Sequence, residues 1–203
     1  MQIILEKKIY IRDLITLLKK GGVIAMPTET AYGLIALADN SQAVKKIYLI
    51  KGRMRKKSLP LIASSLYQVK RFFKFPKATN TSFINLSKRY WPGPLSLQLI
   101  SKSKKIAVPA QKGSFVVRVS SKKILRDLAR LVGAPLTATS ANFAGQKEIY
   151  DANSLVKIFK NKKYTPDIII DGGKISTKKP STIVGIEHGS AVILRQGEIR
   201  IKL

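Results

Sequence analysis

Short apolar runs of strand length alternate with amphipathic helical segments, and this alternation limits the fold more than any other feature of the sequence. Residues 12–20 place Leu14, Leu17 and Leu18 on one helical face and stop at Gly21-Gly22, a glycine pair typical of a helix C-terminus. The apolar run 23–26 follows, and it is too short for a helix but typical of a buried strand. The chain therefore begins as a helix that leads into a strand.

The same pattern continues along the chain and predicts an α/β fold. Further helices are predicted over 41–51 with Ser41 as N-cap, about 65–73, about 81–90, 121–132 and 154–160. Further strands are predicted over 59–63, 95–100, 115–119, 136–139, 168–170, 182–186, 191–194 and 199–201. Helices and strands alternate first and strands cluster late, which indicates a mixed sheet flanked by helices. No linker is evident and 102–114 is predicted to be a flexible edge, so residues 1–203 are expected to form one domain.

Charge and composition limit the functions without choosing one. The net charge of +27 attracts polyanions such as nucleotides and RNA, although a lysine-rich proteome would produce the same excess. The chain has no cysteine, and its one histidine, His188, lies in a Glu-His-Gly-Ser turn. This does not favour a thiol nucleophile, a zinc site or a Ser-His-Asp triad. The N-terminus resembles neither a signal peptide nor a membrane span, so a cytoplasmic protein is expected.

Three polar segments stand where ligands bind in α/β proteins. Residues 27–33 (PTETAYG) follow a predicted strand, and Thr28 and Thr30 would share one side of an extended chain. Residues 51–61 (KGRMRKKSLPL) place Lys51 and Arg53 two apart, so an extended link would let both clamp one polyphosphate. Residues 137–142 (TATSAN) follow an apolar run and place Ser140 and Asn142 on one face. Each segment alone is more typical of a polar turn or a solvated loop than of a ligand site.

Three further polar residues sit in or beside predicted strands. Arg118 lies inside the apolar strand 115–119, where its charge is costly unless it is paired or faces a cleft. Ser181 opens a strand shortly after the tight turn Asp171-Gly172-Gly173, and Arg195 ends a strand before Gly197. No P-loop or dinucleotide-binding glycine motif is present.

The order of these segments is more specific than any one of them. PTETAYGL, KGR, WPGPL, VVRV, TSAN with a glycine three residues later, DGG followed by STIV, and LRQG occur in this order. The series closely resembles the YrdC-like family, the threonylcarbamoyl-AMP synthases of tRNA modification, over about residues 10–200. The resemblance implies a three-layer α/β domain with a twisted mixed sheet around a basic concave cavity. It implies no additional C-terminal domain in this chain, although longer relatives have one.

The resemblance also implies an activity. Family members condense L-threonine, bicarbonate or CO2 and ATP into threonylcarbamoyl-AMP and release diphosphate, with Mg²⁺ held by the ATP phosphates and not by the protein. Proteins of a transfer complex then move the threonylcarbamoyl group to adenosine 37 of tRNAs that read codons beginning with A, and tRNA is a possible direct ligand of the synthase.

The matching motifs imply a site. ATP is expected to contact Lys51, Arg53, Lys57, Ser140, Asn142 and Arg195, with Lys51 and Arg53 as the catalytic cations. Threonine is expected to contact Thr30, Arg118 and Ser181. At least two of Arg55, Lys56 and Lys57 are expected to form a solvated or tRNA-facing fringe.

One departure from the family pattern concerns the threonine contact. Many relatives have a histidine after the strand that follows Lys-x-Arg, whereas residues 54–63 (MRKKSLPLIA) contain none. A shorter bacterial branch also lacks it, so the activity remains the expectation. The alternatives are a non-catalytic basic RNA-binding protein of this fold and a relative that has lost adenylation.

Overall fold

The fold is a mixed sheet covered by helices, seen in a computed structural model that describes residues 1–54, 57–111 and 113–203, without the side chain of Ala78. The α-helices are α1 (Ile11–Lys19), α2 (Ser41–Lys51), α3 (Leu66–Phe72), α4 (Asn80–Tyr90), α5 (Lys123–Leu131) and α6 (Ala152–Phe159). The strands are β1 (Gln2–Leu5), β2 (Ile24–Pro27), β3 (Tyr32–Leu37), β4 (Leu61–Ala63), β5 (Phe73–Lys74), β6 (Leu95–Ser101), β7 (Ser114–Val119), β8 (Leu136–Ser140), β9 (Ile168–Asp171), β10 (Thr182–Glu187) and β11 (Ser190–Arg195). Short 3-10 turns cover Glu6–Lys8 and Lys77–Thr79.

All the strands belong to one sheet. Its order is β1-β9-β2-β3-β8-β4-β7-β6-β10-β11, and β5 pairs with β6 beside this path. The pairs β1–β9, β2–β9, β4–β7 and β6–β10 are parallel, and the others are antiparallel. The predicted mixed sheet is therefore confirmed.

Alternating side chains divide the core into two layers on opposite faces of the sheet. On β3, Leu34 and Ala36 join one buried cluster, whereas Ile35 and Leu37 join the other. Helices α1 and α5 cover the second cluster, and helices α2, α3, α4 and α6 contribute to the first. The result is the predicted three-layer arrangement of helices, sheet and helices.

Several predicted boundaries needed correction. Strands β1, β3 and β5 were not predicted. β1 is mostly exposed and β5 has only two residues, whereas β3 is a buried apolar run like the predicted β2 and directly follows the polar segment 27–33. The strand predicted for 199–201 is wrong, since these residues have no regular structure although Ile201 is buried. The N-cap of α2 is Asn40 and not Ser41, because the Asn40 side chain accepts a hydrogen bond from Ala43 N at 2.9 Å. Within the described ranges, no helix is both long and apolar enough to cross a membrane.

Candidate active site

A cavity of about 310 Å³ lies against the sheet and collects most of the predicted site residues. That volume is at the lower end of the range for small-molecule sites. The polar side chains on its wall belong to Thr28, Thr30, Tyr32, Arg53, Ser58, Gln111, Arg118, Thr139, Ser140, Glu148, Ser181 and Arg195. Residues predicted for the threonine end and residues predicted for the nucleotide end therefore share one cavity.

Strand β7 explains why Arg118 can stand within an apolar run. Phe115, Val117 and Val119 point into one core cluster, so the alternate residues Val116 and Arg118 point to the opposite face. Arg118 pairs in register with Ile62 of β4, which packs on the α1–α5 side. The guanidinium is thus both turned toward a cavity and held at a fixed position on the sheet.

A buried carboxylate holds Arg118. Glu29 Oε1 lies 3.4 Å from Arg118 Nε, and each of the two side chains is only 8% exposed. Ser120 Oγ donates a hydrogen bond to the other oxygen, Glu29 Oε2, at 2.5 Å. Neither Glu29 Oε1 nor Arg118 Nε has a hydrogen-bond partner among the described atoms, so the contact is an ion pair without a hydrogen bond. Because the carboxylate faces Nε, the two terminal nitrogens of Arg118 are left for a planar anion such as a carboxylate.

The PTETAYG segment forms the turn between β2 and β3. Thr28 N and Thr28 Oγ1 both donate to Ala31 O, at 3.0 and 2.7 Å, so residues 28–31 are closed and not extended. The two threonine hydroxyls are still neighbours, with Thr28 Oγ1 and Thr30 Oγ1 3.2 Å apart. The turn brings Thr28 and Thr30 to the cavity wall and places Glu29 beneath Arg118.

Arg195 reaches the cavity from β11 and is fixed by Ser181. Its Nε and one terminal nitrogen, Nη2, donate to Ser181 O at 3.1 and 2.8 Å, and Nη2 also lies 3.2 Å from Ser181 Oγ. Ser96 Oγ is 2.9 Å from Ser181 Oγ and is fully buried beneath it. Burial lowers the pKa of Arg195, Glu148 opposes this shift, and Arg118 adds to it.

Lys51 lies under the wall rather than on it. Helix α2 ends in Gly52 with a left-handed φ of 56°, and Arg53 N bonds back to Tyr48 O, so the Lys51–Arg53 link is not extended as the spacing argument assumed. Lys51 Nζ donates to Ser140 O at 2.5 Å, Asn142 O at 2.8 Å and Asn142 Oδ1 at 3.1 Å. Lys51 and Asn142 are absent from the described lining of the cavity.

The environment of Lys51 weakens its charge. Burial, aided by the nearby Arg53 and partly opposed by Glu148, lowers the pKa of Lys51 to about 8. Lys51 also fixes the chain that carries Ser140, whose Oγ donates to Asn142 Oδ1 at 2.6 Å. The Lys-x-Arg and Ser-x-Asn motifs are therefore in direct contact.

Among the described residues of the basic run, Arg53 faces the cavity. One terminal nitrogen, Nη2, donates to Ser58 O at 3.3 Å, and Nε is buried without a hydrogen-bond partner among the described atoms. Lys57 is exposed and does not belong to the described cavity lining, so its side chain does not lie at the position expected for an ATP contact. Arg55 and Lys56 lie outside the described residues.

Sequence reasoning missed several residues of the site, among them Glu29, Glu148 and Ser96. Glu29 sits inside the recognised PTETAYG motif, Glu148 lines the cavity and accepts from Tyr150 OH at 3.2 Å, and Ser96 supports Ser181. A signal existed for Glu29, because a buried strand arginine needs an acidic partner and the chain has only 11 acidic residues. His188 lies in the β10–β11 turn with φ 48° and is not part of the described lining.

The described residues also bear on metal binding. They contain no group of three or more His, Asp or Glu residues that could hold a metal ion. Glu148 is the one carboxylate among the described residues on the cavity wall.

Comparison with known proteins identifies the family. The model of the Sua5, YciO and YrdC family, described as telomere recombination, matches residues 16–197. A Chromobacterium violaceum protein named threonylcarbamoyl-AMP synthase is 34% identical over 175 residues, which are 85% of this chain and 86% of the relative. A Pyrococcus abyssi protein of the same name is 31% identical over 188 residues, which are 91% of this chain but 53% of the relative.

A solved structure agrees with these matches in fold. The crystal structure of Pyrococcus abyssi Sua5 complexed with L-threonine superposes with a TM-score of 0.83 at 31% identity, and it covers 97% of this chain and 58% of that protein. The chain thus spans about half to three fifths of the archaeal relative and most of the bacterial one. Together with the cavity and its motifs, these matches show that the chain belongs to the Sua5/YciO/YrdC family.

Proposed function

We propose that the chain is a threonylcarbamoyl-AMP synthase, which condenses L-threonine, bicarbonate or CO2 and ATP and releases diphosphate. The observation that carries the proposal is the shared cavity, which joins Thr30, Arg118 and Ser181 to Arg53, Ser140 and Arg195. Relatives named threonylcarbamoyl-AMP synthase, one of them over most of both chains, support the same activity.

The Arg118 end of the cavity suits the threonine carboxylate. The Glu29 ion pair orients the guanidinium from below, and a planar arginine fork matches a carboxylate in two parallel hydrogen bonds. The hydroxyls of Thr30 and Ser181 lie on the same wall and can hydrogen-bond polar groups of the amino acid. A histidine is therefore not needed to anchor the carboxylate.

The Arg53 end suits the nucleotide. Arg53 and Arg195 supply two cations on the cavity wall, and Ser140 supplies a hydroxyl between them and the Lys51–Asn142 contact. The proposed ATP contacts on the wall are Arg53, Ser140 and Arg195, with Lys51 and Asn142 holding the wall in place. A contact from Lys57 requires its exposed side chain to swing toward the bound phosphates.

The reaction depends mainly on charge and position. The threonine nitrogen attacks CO2 and loses a proton, which gives a carbamate. A carbamate oxygen then attacks the α-phosphorus of ATP while the bond to the diphosphate oxygen breaks. The second step brings the anionic carbamate to the anionic triphosphate, so cations at the cavity wall offset their repulsion and stabilise the developing charge on the departing diphosphate. The carbamate is already the nucleophile, which explains why no histidine or cysteine is required.

Magnesium would accompany ATP in this scheme. Its chemistry is to neutralise the phosphate oxygens and to polarise the phosphorus toward attack. Glu148 is the single carboxylate among the described wall residues, so the ATP phosphates would supply most of the Mg²⁺ ligands. Glu148 would be the protein's one carboxylate ligand in the coordination shell of the ion. The protein residues bind and orient the nucleotide around that ion.

The product defines the expected partners. Threonylcarbamoyl-AMP is a reactive mixed anhydride, so a transfer complex is needed to deliver its acyl group to adenosine 37 of tRNAs that read codons beginning with A. We place the protein in the cytoplasm with those tRNAs. The alternative function, a non-catalytic RNA-binding protein of this fold, would leave the arginine-lined cavity without a reaction.

Diphosphate release separates the two functions. The synthase releases diphosphate only when threonine, bicarbonate, Mg²⁺ and ATP are all present, and omission of threonine or bicarbonate removes the signal. The proposal is abandoned if a folded wild-type protein binds RNA but releases no diphosphate with the complete mixture. Glycine in place of threonine serves as the matched control for amino-acid recognition.

A further inference from the structure

The acidic residues of this chain are distributed unevenly. None of the 11 occurs between residues 40 and 126, whereas that stretch contains 21 lysines and arginines. A general shortage of acidic residues would lower their frequency along the whole chain. It would not leave one continuous stretch of 87 residues without any aspartate or glutamate. The asymmetry points to a local requirement for uncompensated positive charge.

The fold gathers part of this stretch on one surface, which we call the α3–β5 surface: Tyr67, Lys70, Arg71, Lys74 and Lys102. All five residues are exposed. Lys102 Nζ donates to Lys70 O at 2.7 Å, and Lys102 N donates to Phe72 O at 2.8 Å, which fixes Lys102 against the end of α3. Lys74 lies on β5, which pairs with the end of β6 through Lys74 and Ile100.

Within the part of the chain that the structure describes, these cations have no acidic partners. The ion pairs of the described residues involve Lys46, Arg118, Lys123 and Arg130, and none involves the α3–β5 surface. Lys70 and Arg71 lie in the last turn of α3, where positive charge stabilises the helix dipole. This effect does not explain the positive charges of Lys74 and Lys102, which lie outside the helix. None of the five residues belongs to the described cavity wall, so their charge does not serve the proposed reaction directly.

Tyr67 makes the surface more specific than a charged patch. It is 79% exposed, the most exposed large apolar side chain among the described residues, and it precedes Lys70 and Arg71 by one helical turn on the same face of α3. An exposed aromatic ring beside cations is the arrangement on which unpaired bases stack while the cations contact the phosphates. An exposed tyrosine also occurs at protein and membrane interfaces, so the preference for RNA rests on the ring together with four cations that have no acidic partner among the described residues.

We propose that the α3–β5 surface binds RNA, with Tyr67 stacking on an unpaired base and Lys70, Arg71, Lys74 and Lys102 contacting its phosphates. The surface lies apart from the cavity and acts independently of adenylate formation. The choice of tRNA as a probe rests on the proposed function, whereas the surface itself rests on the charges and on Tyr67.

The test compares two matched triple variants of the full chain. One combines Tyr67→Ala, Lys70→Gln and Arg71→Gln. The control combines Tyr10→Ala, Lys7→Gln and Lys8→Gln, which removes an equally exposed tyrosine and two exposed lysines from a segment that also contains Glu6 and Asp13. Binding of an unmodified tRNA transcript is measured by fluorescence anisotropy at several salt concentrations, and diphosphate release reports on folding and on the cavity.

The surface variant should lose roughly tenfold or more in tRNA affinity, and its salt dependence should weaken by about two phosphate contacts. The control variant should bind like the wild type, and both should release diphosphate normally. Tyr67→Ala alone should weaken transcript binding roughly fivefold or more, without changing the salt slope or the affinity for a fully paired RNA duplex.

Equal losses in the two triple variants would overturn the proposal, because binding would then follow overall charge. A surface variant that keeps tRNA binding but loses binding to phosphatidylserine vesicles would assign the surface to membranes instead. If diphosphate release is absent from the wild type while the surface variant still loses tRNA, the proposed function fails and the RNA surface stands.

Discussion

Lys51 Nζ lies 3.1 Å from Asn142 Oδ1 and also donates to the carbonyls of Ser140 and Asn142. All three donors of the ammonium group are therefore engaged within the protein. The Lys-x-Arg and Ser-x-Asn motifs are thus hydrogen-bonded to each other. From these two motifs, Arg53 and Ser140 line the cavity. Lys51 is placed to position the site, and a direct phosphate contact would require it to leave these acceptors.

The first prediction concerns Lys51. Lys51→Met removes a donor to two carbonyls and one of the two donors to Asn142 Oδ1, so the free energy of unfolding should fall by about 2–4 kcal/mol. Diphosphate release should fall mainly through a higher KM for ATP, and Asn142→Ala should add little to Lys51→Met in a double-mutant cycle. Chemical denaturation and steady-state kinetics measure both effects.

The opposite pattern would identify Lys51 as a phosphate ligand. In that case Lys51→Met would keep wild-type stability and an unchanged KM for ATP while kcat collapsed. Lys45→Met, which changes an exposed lysine of the same helix, is the matched control.

The second prediction concerns the buried Glu29–Arg118 pair. Glu29→Gln removes the charge that orients Arg118, so the KM for threonine should rise about tenfold while the KM for ATP stays near the wild-type value. Arg118→Ala should be more severe, and Glu29→Asp should recover part of the loss. Equal increases in both KM values would show general disruption of the cavity rather than a threonine contact.

The third prediction concerns Arg53. Arg53→Ala should lower diphosphate release by roughly two or more orders of magnitude, because it removes a charged contact on the cavity wall. Arg53→Lys should restore only part of the rate, since lysine keeps the charge without the planar fork. His188→Ala, in the β10–β11 turn, is the control and should leave the rate unchanged. A normal rate in Arg53→Ala together with a folded but inactive His188→Ala would show that the active site lies elsewhere in the protein.

The fourth prediction concerns pH and Tyr32. Its hydroxyl donates to Gly173 O at 2.8 Å and accepts from Gly172 N at 3.1 Å, and burial raises its pKa from 10.0 to about 12. Between these two values the unfolded chain loses the phenol proton while the folded protein keeps it, so the stability that Tyr32 contributes is lost as pH rises.

Tyr32→Phe should therefore cost about 1 kcal/mol of unfolding free energy below pH 10. The difference from the wild type should shrink as pH rises from about 10 to about 12. Urea denaturation of both proteins across this range measures the difference. A gap that stays constant with pH would mean that the Tyr32 phenol is not perturbed by the fold.

Much of the fold could be predicted because the spacing of apolar residues along the chain shows which face of a helix or strand is buried. The helices α1 and α2 and the strands β6 and β7 carry clear patterns, and their predicted bounds lie within one or two residues of those observed. Strand β3 is an apolar run buried on both faces like β2, but it was missed because residues 27–33 were interpreted as a polar segment that does not continue into a strand. Residues 199–201 were misassigned because Ile199 and Ile201 alternate with charged residues without pairing to a neighbour.

The site was predicted by residue type more reliably than by geometry. The sequence argument required Arg118 to be paired with an acid or to face a cleft. Both conditions are met, because Glu29 is its ion-pair partner and its side chain lines the cavity. The shared-side argument for Lys51 and Arg53 failed because Gly52 turns the chain through a left-handed conformation. Ser96 and Glu148 could not be predicted, because only the tertiary fold brings them to Ser181 and to the cavity.

The most direct test of the account follows the carbon of bicarbonate. The wild-type protein is incubated with ¹³C-bicarbonate, threonine, Mg²⁺ and ATP, and the nucleotide products are identified by mass spectrometry. The account predicts one AMP-linked product that contains threonine and the labelled carbon, formed together with diphosphate and absent in Arg118→Ala. Formation of AMP or ADP without a labelled threonine adduct would contradict it.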